Sequence, residues 1–294
     1  MSRLQSRHER YLLVIPAALL LAIVVALPIG RVIGLSFTRT EMEGGLESRW
    51  AGLSSHARAW HDSRFAGAIR NTFVFSGASV LVETVLGIAI ALFLHARFRG
   101  RGLLRAVVML PWALPTAIMA LAWAWIFNDA FGVANDVLRR AGLIVTPVAW
   151  LGERGTAMAA LVVAEVWKTT PFVALIVLAG LQGIPHEVLE AARVDGLSAV
   201  QRFRHVILPL LMPSILVALL FRAIQSYGAF DIIYVMTGGG PGGSTETVSF
   251  YAFQNYFRYL DFGYGSAIAV QSVLVGGALA LLAARLARPR MENR

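Results

Sequence analysis

The stretch "EAARVDGLSAVQRFRHVILPLL", Glu190 to Leu211, is polar and charged, yet it lies between two long apolar runs. Pro185 opens the segment "IPHEVLEAARVDG", and Gly196 closes it, because glycine adopts the left-handed conformation that ends helices. Beyond that turn, "LSAVQRFRHVILP" reads as a second helix that runs into the next apolar run at Pro209. In the first helix Val188, Leu189 and Ala192 are expected to bury, while Glu187, Glu190 and Asp195 reach outward. Ala191 and Ala192 keep this helix thin enough to fit a groove on another protein. On spacing alone it reads equally well as a generic surface helix.

The surroundings decide what kind of protein carries this segment. Of 294 residues, 57% are hydrophobic and 15% charged, with a mean hydropathy of +0.66. A soluble domain is closer to half apolar and a quarter charged, so the bilayer is the natural solvent. Runs near the ~20 residues that cross a bilayer occupy 11–36, 70–95, 103–127, 156–181, 207–235 and 264–286. The expectation is an all-α polytopic membrane protein of six transmembrane helices. A single membrane domain covers 1–294, with the quoted stretch in a loop at 182–206. Pro16, Pro28, Pro111, Pro115, Pro171, Pro209 and Pro213 fall in or at the ends of these runs. Proline is tolerated there when neighbouring groups satisfy the freed carbonyls. The first run exceeds a signal-peptide core and no small-x-small cleavage pattern follows, so it is expected to persist as a span.

Arginine placement orients the chain. Arg3, Arg7, Arg10, Arg97, Arg99, Arg101, Arg105, Arg193, Arg202, Arg204, Arg285, Arg288, Arg290 and Arg294 collect on one side. On the other, Arg39, Arg49, Arg58 and Arg64 are balanced by Glu41, Glu43, Glu47 and Asp62. Arg139, Arg140 and Arg154 are likewise offset by Asp129, Asp136 and Glu153. Both termini and the 182–206 loop are therefore expected to be cytoplasmic. Residues 37–65 are expected to hold an amphipathic lead-in to the second span, and 128–155 a brief helix at the membrane interface.

Several chemistries find no support. The net charge of +9 rests on arginines at the ends of apolar segments, with Lys168 the only lysine, so nucleic acid is not the expected partner. Without cysteine there is neither a disulfide nor a thiolate site. His8, His56, His61, His95, His186 and His205 show no ligand spacing, so no metal is expected. The run "TGGGPGGST" lacks the Gly-Lys-Ser/Thr ending of a phosphate loop and reads as a turn. No nucleophile and base are arranged for catalysis, and an enzyme is not expected.

Ionisable groups within spans are costly and usually functional. The second span carries Glu83. The fourth carries Glu165 and Lys168, three residues apart and nearly on one face. The fifth carries Arg222, Gln225, Ser226 and Asp231, the first three sharing a face. These groups either pair with one another or line a partly watered cavity between the fourth and fifth spans. Trp167, Phe172, Tyr227 and Phe230 are interleaved with them, a mixture suited to a hydroxyl-rich solute.

Glu190-Ala191-Ala192, Gly196 and Ile207-Leu208-Pro209 resemble the EAA signature of ABC importer permeases. "VVAEVWKTTPFVALIVLAGLQGIP" before it and "YVMTGGGPGGSTET" after it look like the carbohydrate-uptake branch, the maltose-type larger permeases. The resemblance covers nearly the whole chain and implies the type I importer permease fold in a bacterial cytoplasmic membrane. It implies that Glu190, Ala191, Ala192, Asp195 and Gly196 couple to a cytoplasmic ATPase present in two copies. A second, homologous permease would complete a heterodimer, an extracytoplasmic sugar-binding protein would deliver the sugar, and lipid would surround the spans. No cofactor is implied on this chain; ATP and Mg belong to the partner ATPase. Sugar contacts carried over from the family fall on Glu165, Lys168, Thr169, Phe172, Arg222, Gln225, Ser226 and Ala229. Maltose-type members have asparagines where Glu165, Ser226 and Ala229 stand, which points away from maltose and toward another disaccharide such as trehalose. The alternatives are an ABC permease for a polyol or glycerol phosphate, and a proton-coupled secondary sugar transporter using Glu83 and Glu165.

Overall fold

The computed structural model describes residues 14–41, 47–96 and 98–292. Residues 11–13 of the expected first span, and Arg3, Arg7, Arg10, Glu43, Arg97 and Arg294, lie outside the described residues. Twelve helices and one ribbon follow in order: α1 (Val14–Ser36), β1 (Thr38–Glu41), β2 (Glu47–Trp50), α2 (Ser54–His61), α3 (Ser63–His95), α4 (Arg101–Ala113), α5 (Thr116–Ile126), α6 (Val133–Arg140) and α7 (Arg154–Gln182). Then come α8 (His186–Val194), α9 (Ala199–Tyr227), α10 (Asp231–Met236), α11 (Val248–Phe253) and α12 (Phe262–Glu292). Five of these, α1, α3, α7, α9 and α12, are long and apolar enough to cross a membrane, and the bent pair α4–α5 makes a sixth if counted as one span.

The third run, expected as a span over 103–127, is this bent pair. A residue before proline is driven to extended backbone, and Leu114 (ψ 138°) and Pro115 (ψ 130°) are both extended. The two halves meet at 92°. The fifth run also ends earlier than expected. Its helix stops at Tyr227 with Gly228 at the cap, and Asp231 begins a separate short helix with its side chain exposed. Upstream, α9 carries one π turn at Phe203–Ile207, ending two residues before Pro209. That turn accommodates the ring and the missing N–H without breaking the helix.

The chain forms two compact units, one from residues 1–65 and 251–274, the other from 66–250 and 275–294. In the first, β1 pairs antiparallel with β2, Thr38 opposite Trp50; nothing in the hydropathy pattern announced this ribbon. Asp62, just before α3, accepts hydrogen bonds from the Tyr251 and Tyr264 hydroxyls and from the Arg64 N–H. Arg58 pairs with Asp261 at 2.8 Å.

In the second unit α3, α7 and α9 pack together. Lipid tails are as apolar as leucine, so such helices associate through close contact and polar bonds rather than water exclusion. Glycine permits the close contact. A Cβ at Gly87 would sit 2.6 Å from Val173 Cγ1, and one at Gly180 would sit 2.3 Å from Ser214 Oγ. Two apolar clusters result. One gathers Phe75, Phe127, Leu161, Ile233 and Phe250. The other gathers Ala91, Val173, Leu178, Leu211 and Ala218. Between them lies a polar layer.

Candidate functional site

Glu83 on α3, Glu165 on α7 and Arg222 on α9 form that layer. Eight residues separate Glu83 from Phe75 on one side and from Ala91 on the other, about 12 Å of helix each way. All three side chains are buried, Glu83 completely. Arg222 Nε donates to Glu83 Oε2 at 2.6 Å and Nη2 to Glu83 Oε1 at 3.1 Å, a side-on fork. Nη2 also donates to Glu165 Oε1 at 2.6 Å, and Nη1 to Gln225 Oε1 at 2.8 Å. A guanidinium suits this task because its planar donors match carboxylates two at a time.

The sequence left open whether Glu165 pairs with Lys168 or binds solute. In the structure Glu165 takes Arg222 from the neighbouring helix, and Lys168, half-buried, makes no ion pair among the described residues. Thr169 and Thr170 turn their hydroxyls back onto the Glu165 and Val166 carbonyls at 2.6 Å each. These bonds use up hydroxyls that would otherwise be stranded beside Pro171. Phe172 stacks on Trp112 and meets Phe221 edge-on. Ser226, fully buried, has no partner for its Oγ among the described residues. Ala229 lies past the end of α9, where its carbonyl accepts from Thr247. Glu165, Arg222 and Gln225 are therefore joined directly, Lys168 and Ser226 flank them, and Phe172 and Ala229 stand apart on either side. Glu83 was recognised as an intramembrane carboxylate but not as a member of this site. Its partner is 139 residues away, and no local signal ties the two.

The exposed edge of the cluster consists of Gln225 and Lys168, with Trp167 and Phe221 exposed nearby. A cavity of about 160 Å³ lies elsewhere, lined by Asp129, Phe131, Asn135, Asp136, Arg139 and Pro147. Its loop is pinned by Asn135, whose side chain holds the backbone of Val148 and the Trp150 indole.

The quoted segment forms the elbow between α7 and α9. Pro185 caps α8, Gly196 turns with φ +76°, and Leu197 N–H closes on the Ala192 carbonyl at 3.2 Å. Ser198 and Gln201 then form a reciprocal capping box at the start of α9. Ala192 is buried by its own chain, whereas Ala191, Glu190 and Asp195 are exposed. Glu190 pairs with His186 one turn back at 3.0 Å. Leu189 is half-buried and Val188 exposed, so the burying face is narrower than the sequence suggested.

The glycine-rich run is a turn. Gly238, Gly239, Gly242 and Gly243 all take positive φ, and a Cβ at Gly239 would strike the Phe250 ring at 2.6 Å. Asn71 on α3 holds this turn through the Gly243 and Glu246 carbonyls.

Comparison with known proteins agrees with this architecture. The chain is 43% identical to the trehalose/maltose transport system permease protein MalF of Thermococcus litoralis, covering 92% of this chain and 90% of that one. It is 38% identical to the trehalose transport system permease protein SugA of Mycobacterium tuberculosis, over 96% and 88%. It is 40% identical to the sulfoquinovosyl glycerol transport system permease protein SmoG of Agrobacterium fabrum, over 88% and 83%. Its fold matches a crystal structure of a bacterial ABC transporter that imports the acidic polysaccharide alginate, with a TM-score of 0.83 at 22% identity, covering 98% of this chain and 99% of that one. The family model for binding-protein-dependent transport system inner membrane components matches residues 83–293, and the chain belongs to that family.

Proposed function

We propose that the chain is one permease half of an ATP-driven importer of a disaccharide such as trehalose. The observation that carries this reading is mechanical. The helices that hold the polar layer, α7 and α9, are joined along the chain by the elbow and to each other by the Arg222–Glu165 bond. Any force on α8 therefore reaches Glu165 and Arg222 through two rigid rods. The sugar class is supported by the trehalose and maltose relatives, and by a polar layer bordered by aromatic faces.

In this mechanism two cytoplasmic ATPase subunits, which carry ATP and Mg, grip α8 through Glu190, Ala191, Asp195 and Gly196. Their closure tilts α7 and α9 and opens the polar layer outward, where an extracytoplasmic binding protein releases the sugar. A second permease covers the exposed edge, so that Gln225 and Lys168 face an enclosed pathway and hydrogen-bond the sugar hydroxyls. Both termini and the elbow lie on the cytoplasmic side. The chain itself performs no chemistry.

The test is uptake of labelled trehalose by the complete complex in proteoliposomes. ATP-dependent uptake that survives a protonophore supports the proposal; uptake that follows the proton gradient without ATP refutes it. Preferential uptake of glycerol phosphate would favour the polyol-phosphate alternative. Removing one hydroxyl contact, about 0.5–1.5 kcal/mol, by Gln225→Ala or Lys168→Ala is expected to lower uptake at sub-saturating sugar roughly two- to tenfold. ATP hydrolysis stimulated by the binding protein should persist in both.

A further inference from the structure

We propose that Glu83 is a specificity-determining positioning residue that makes this half of the pathway electrically neutral and so selects uncharged polyhydroxy solutes over phosphorylated ones. The inference rests on the sugar-importer reading above and adds a substrate class and a residue to it.

Glu83 belongs to a helix that does not flank the elbow, and α3 presents it by design of its surface. Thr72, Ser76, Ser79 and Glu83 are all buried. At spacings of four, three and four residues they form one polar stripe along α3. The opposite face, with Leu81 and Val85, is exposed. The stripe begins where the Thr72 hydroxyl accepts the Val248 N–H and ends at the Arg222 fork. One turn before the fork on α3, Ser79, and one turn past Arg222 on α9, Ser226, are each buried with an Oγ that has no partner among the described residues. The stripe thus reaches the fork as uncharged hydroxyls, and Arg222 meets it there with a positive charge.

The charges then balance. Arg222 and Lys168 carry two positive charges, and Glu83 and Glu165 two negative ones. With two N–H donors fixed on Glu83 and one on Glu165, Arg222 does not project a free cation toward a solute. Only Lys168 is left at the edge, and Glu165 lies one helical turn from it. Without Glu83 the sum becomes one positive charge. A unit charge about 6–8 Å from a phosphate, at an effective dielectric near 20, changes binding on the order of 30- to 100-fold. Screening at the exposed edge leaves an expected change of about tenfold.

The experiment measures binding of trehalose and trehalose 6-phosphate to the complete complex in nanodiscs, without the binding protein, by saturation-transfer NMR. Wild type is expected to prefer trehalose. Glu83→Gln should shift the preference about tenfold toward the phosphate ester, and Glu83→Asp should not. The double variant Glu83→Gln with Arg222→Gln restores the zero sum and should restore the preference for trehalose. An unchanged ratio in Glu83→Gln, or a phosphate preference that persists in the double variant, overturns the proposal. Should Glu83→Gln not fold, Glu165→Gln leaves the same charge sum and must show the same shift. A wild type that prefers the phosphate ester overturns the charge assignment while leaving the importer reading intact; one that binds neither overturns both.

Discussion

At the elbow that joins α7 to α9, the polar contacts are local: His186 to Glu190, Leu197 to Ala192, Ser198 to Gln201. In the polar layer part-way along the same helices, the ion pairs link residues 139 and 57 positions apart. The elbow is exposed and its bonds compete with water, whereas Glu83 and Arg222 are sealed from it. An isolated pair in water is worth little, but a buried charge stripped of its partner is severely penalised. The polar layer is accordingly the region that the fold depends on, and the elbow is the region that can be altered without unfolding it.

That contrast breaks first if Arg222 is not indispensable. Arg222→Leu leaves two buried carboxylates facing each other and is expected to cost about 3–5 kcal/mol, seen as a large fall in melting temperature of the purified complex. An unchanged melting temperature would mean the layer is hydrated. Gly180→Val comes next, because its side chain would collide with Ser214 on α9. Overpacking of this kind costs about 1–3 kcal/mol and should also be read as a lower melting temperature. Ser198→Ala removes the capping box, about 0.5–2 kcal/mol, but locally. Faster amide exchange at residues 199–202 with little change in global melting is the expected signature.

The smallest effect sharpens the comparison, since Asp62 has distant partners but is only half-buried. Burial alone would raise its pKa; hydrogen bonds from Tyr251, Tyr264 and the Arg64 and Phe65 N–H groups outweigh that and hold it below the ordinary carboxylate range. A carboxylate depressed on folding stabilises above its unfolded value, near 4, and loses that contribution as pH falls through the folded value. Melting temperature should therefore drop only in acid, and Asp62→Asn should flatten that drop. On the alkaline side, burial and then the Asp62 charge push Tyr251 up to about 12. Its share of stability is complete below about pH 10 and fades between there and about pH 12.

The elbow was legible because its signals, Pro185 and Gly196, sit within a dozen residues, whereas the Ser198–Gln201 capping box came only with the structure. The apolar runs were legible because each is a bilayer long. What escaped were decisions made by backbone or by distant partners. Leu114–Pro115 bends a run that composition alone would call one span, and Gly228 ends another before Asp231. The Thr38–Trp50 ribbon lies in a polar loop with no alternation to mark it. Glu165 prefers Arg222 to Lys168 because a neighbouring helix offers a planar fork inside the fold, whereas Lys168 lies at its edge. Sequence spacing cannot weigh those two options.

In the proposed mechanism the elbow is the handle through which ATP moves the polar layer. Because Ala192 is buried by its own chain, a bulky residue there would disturb the elbow itself; Ala191 is exposed and reports on docking alone. The measurement is trehalose uptake and binding-protein-stimulated ATP hydrolysis by a reconstituted complex carrying Ala191→Trp, alongside the melting temperature of the permease pair. The expected result is an unchanged melting temperature with both activities lost. Uptake at the wild-type rate would contradict it.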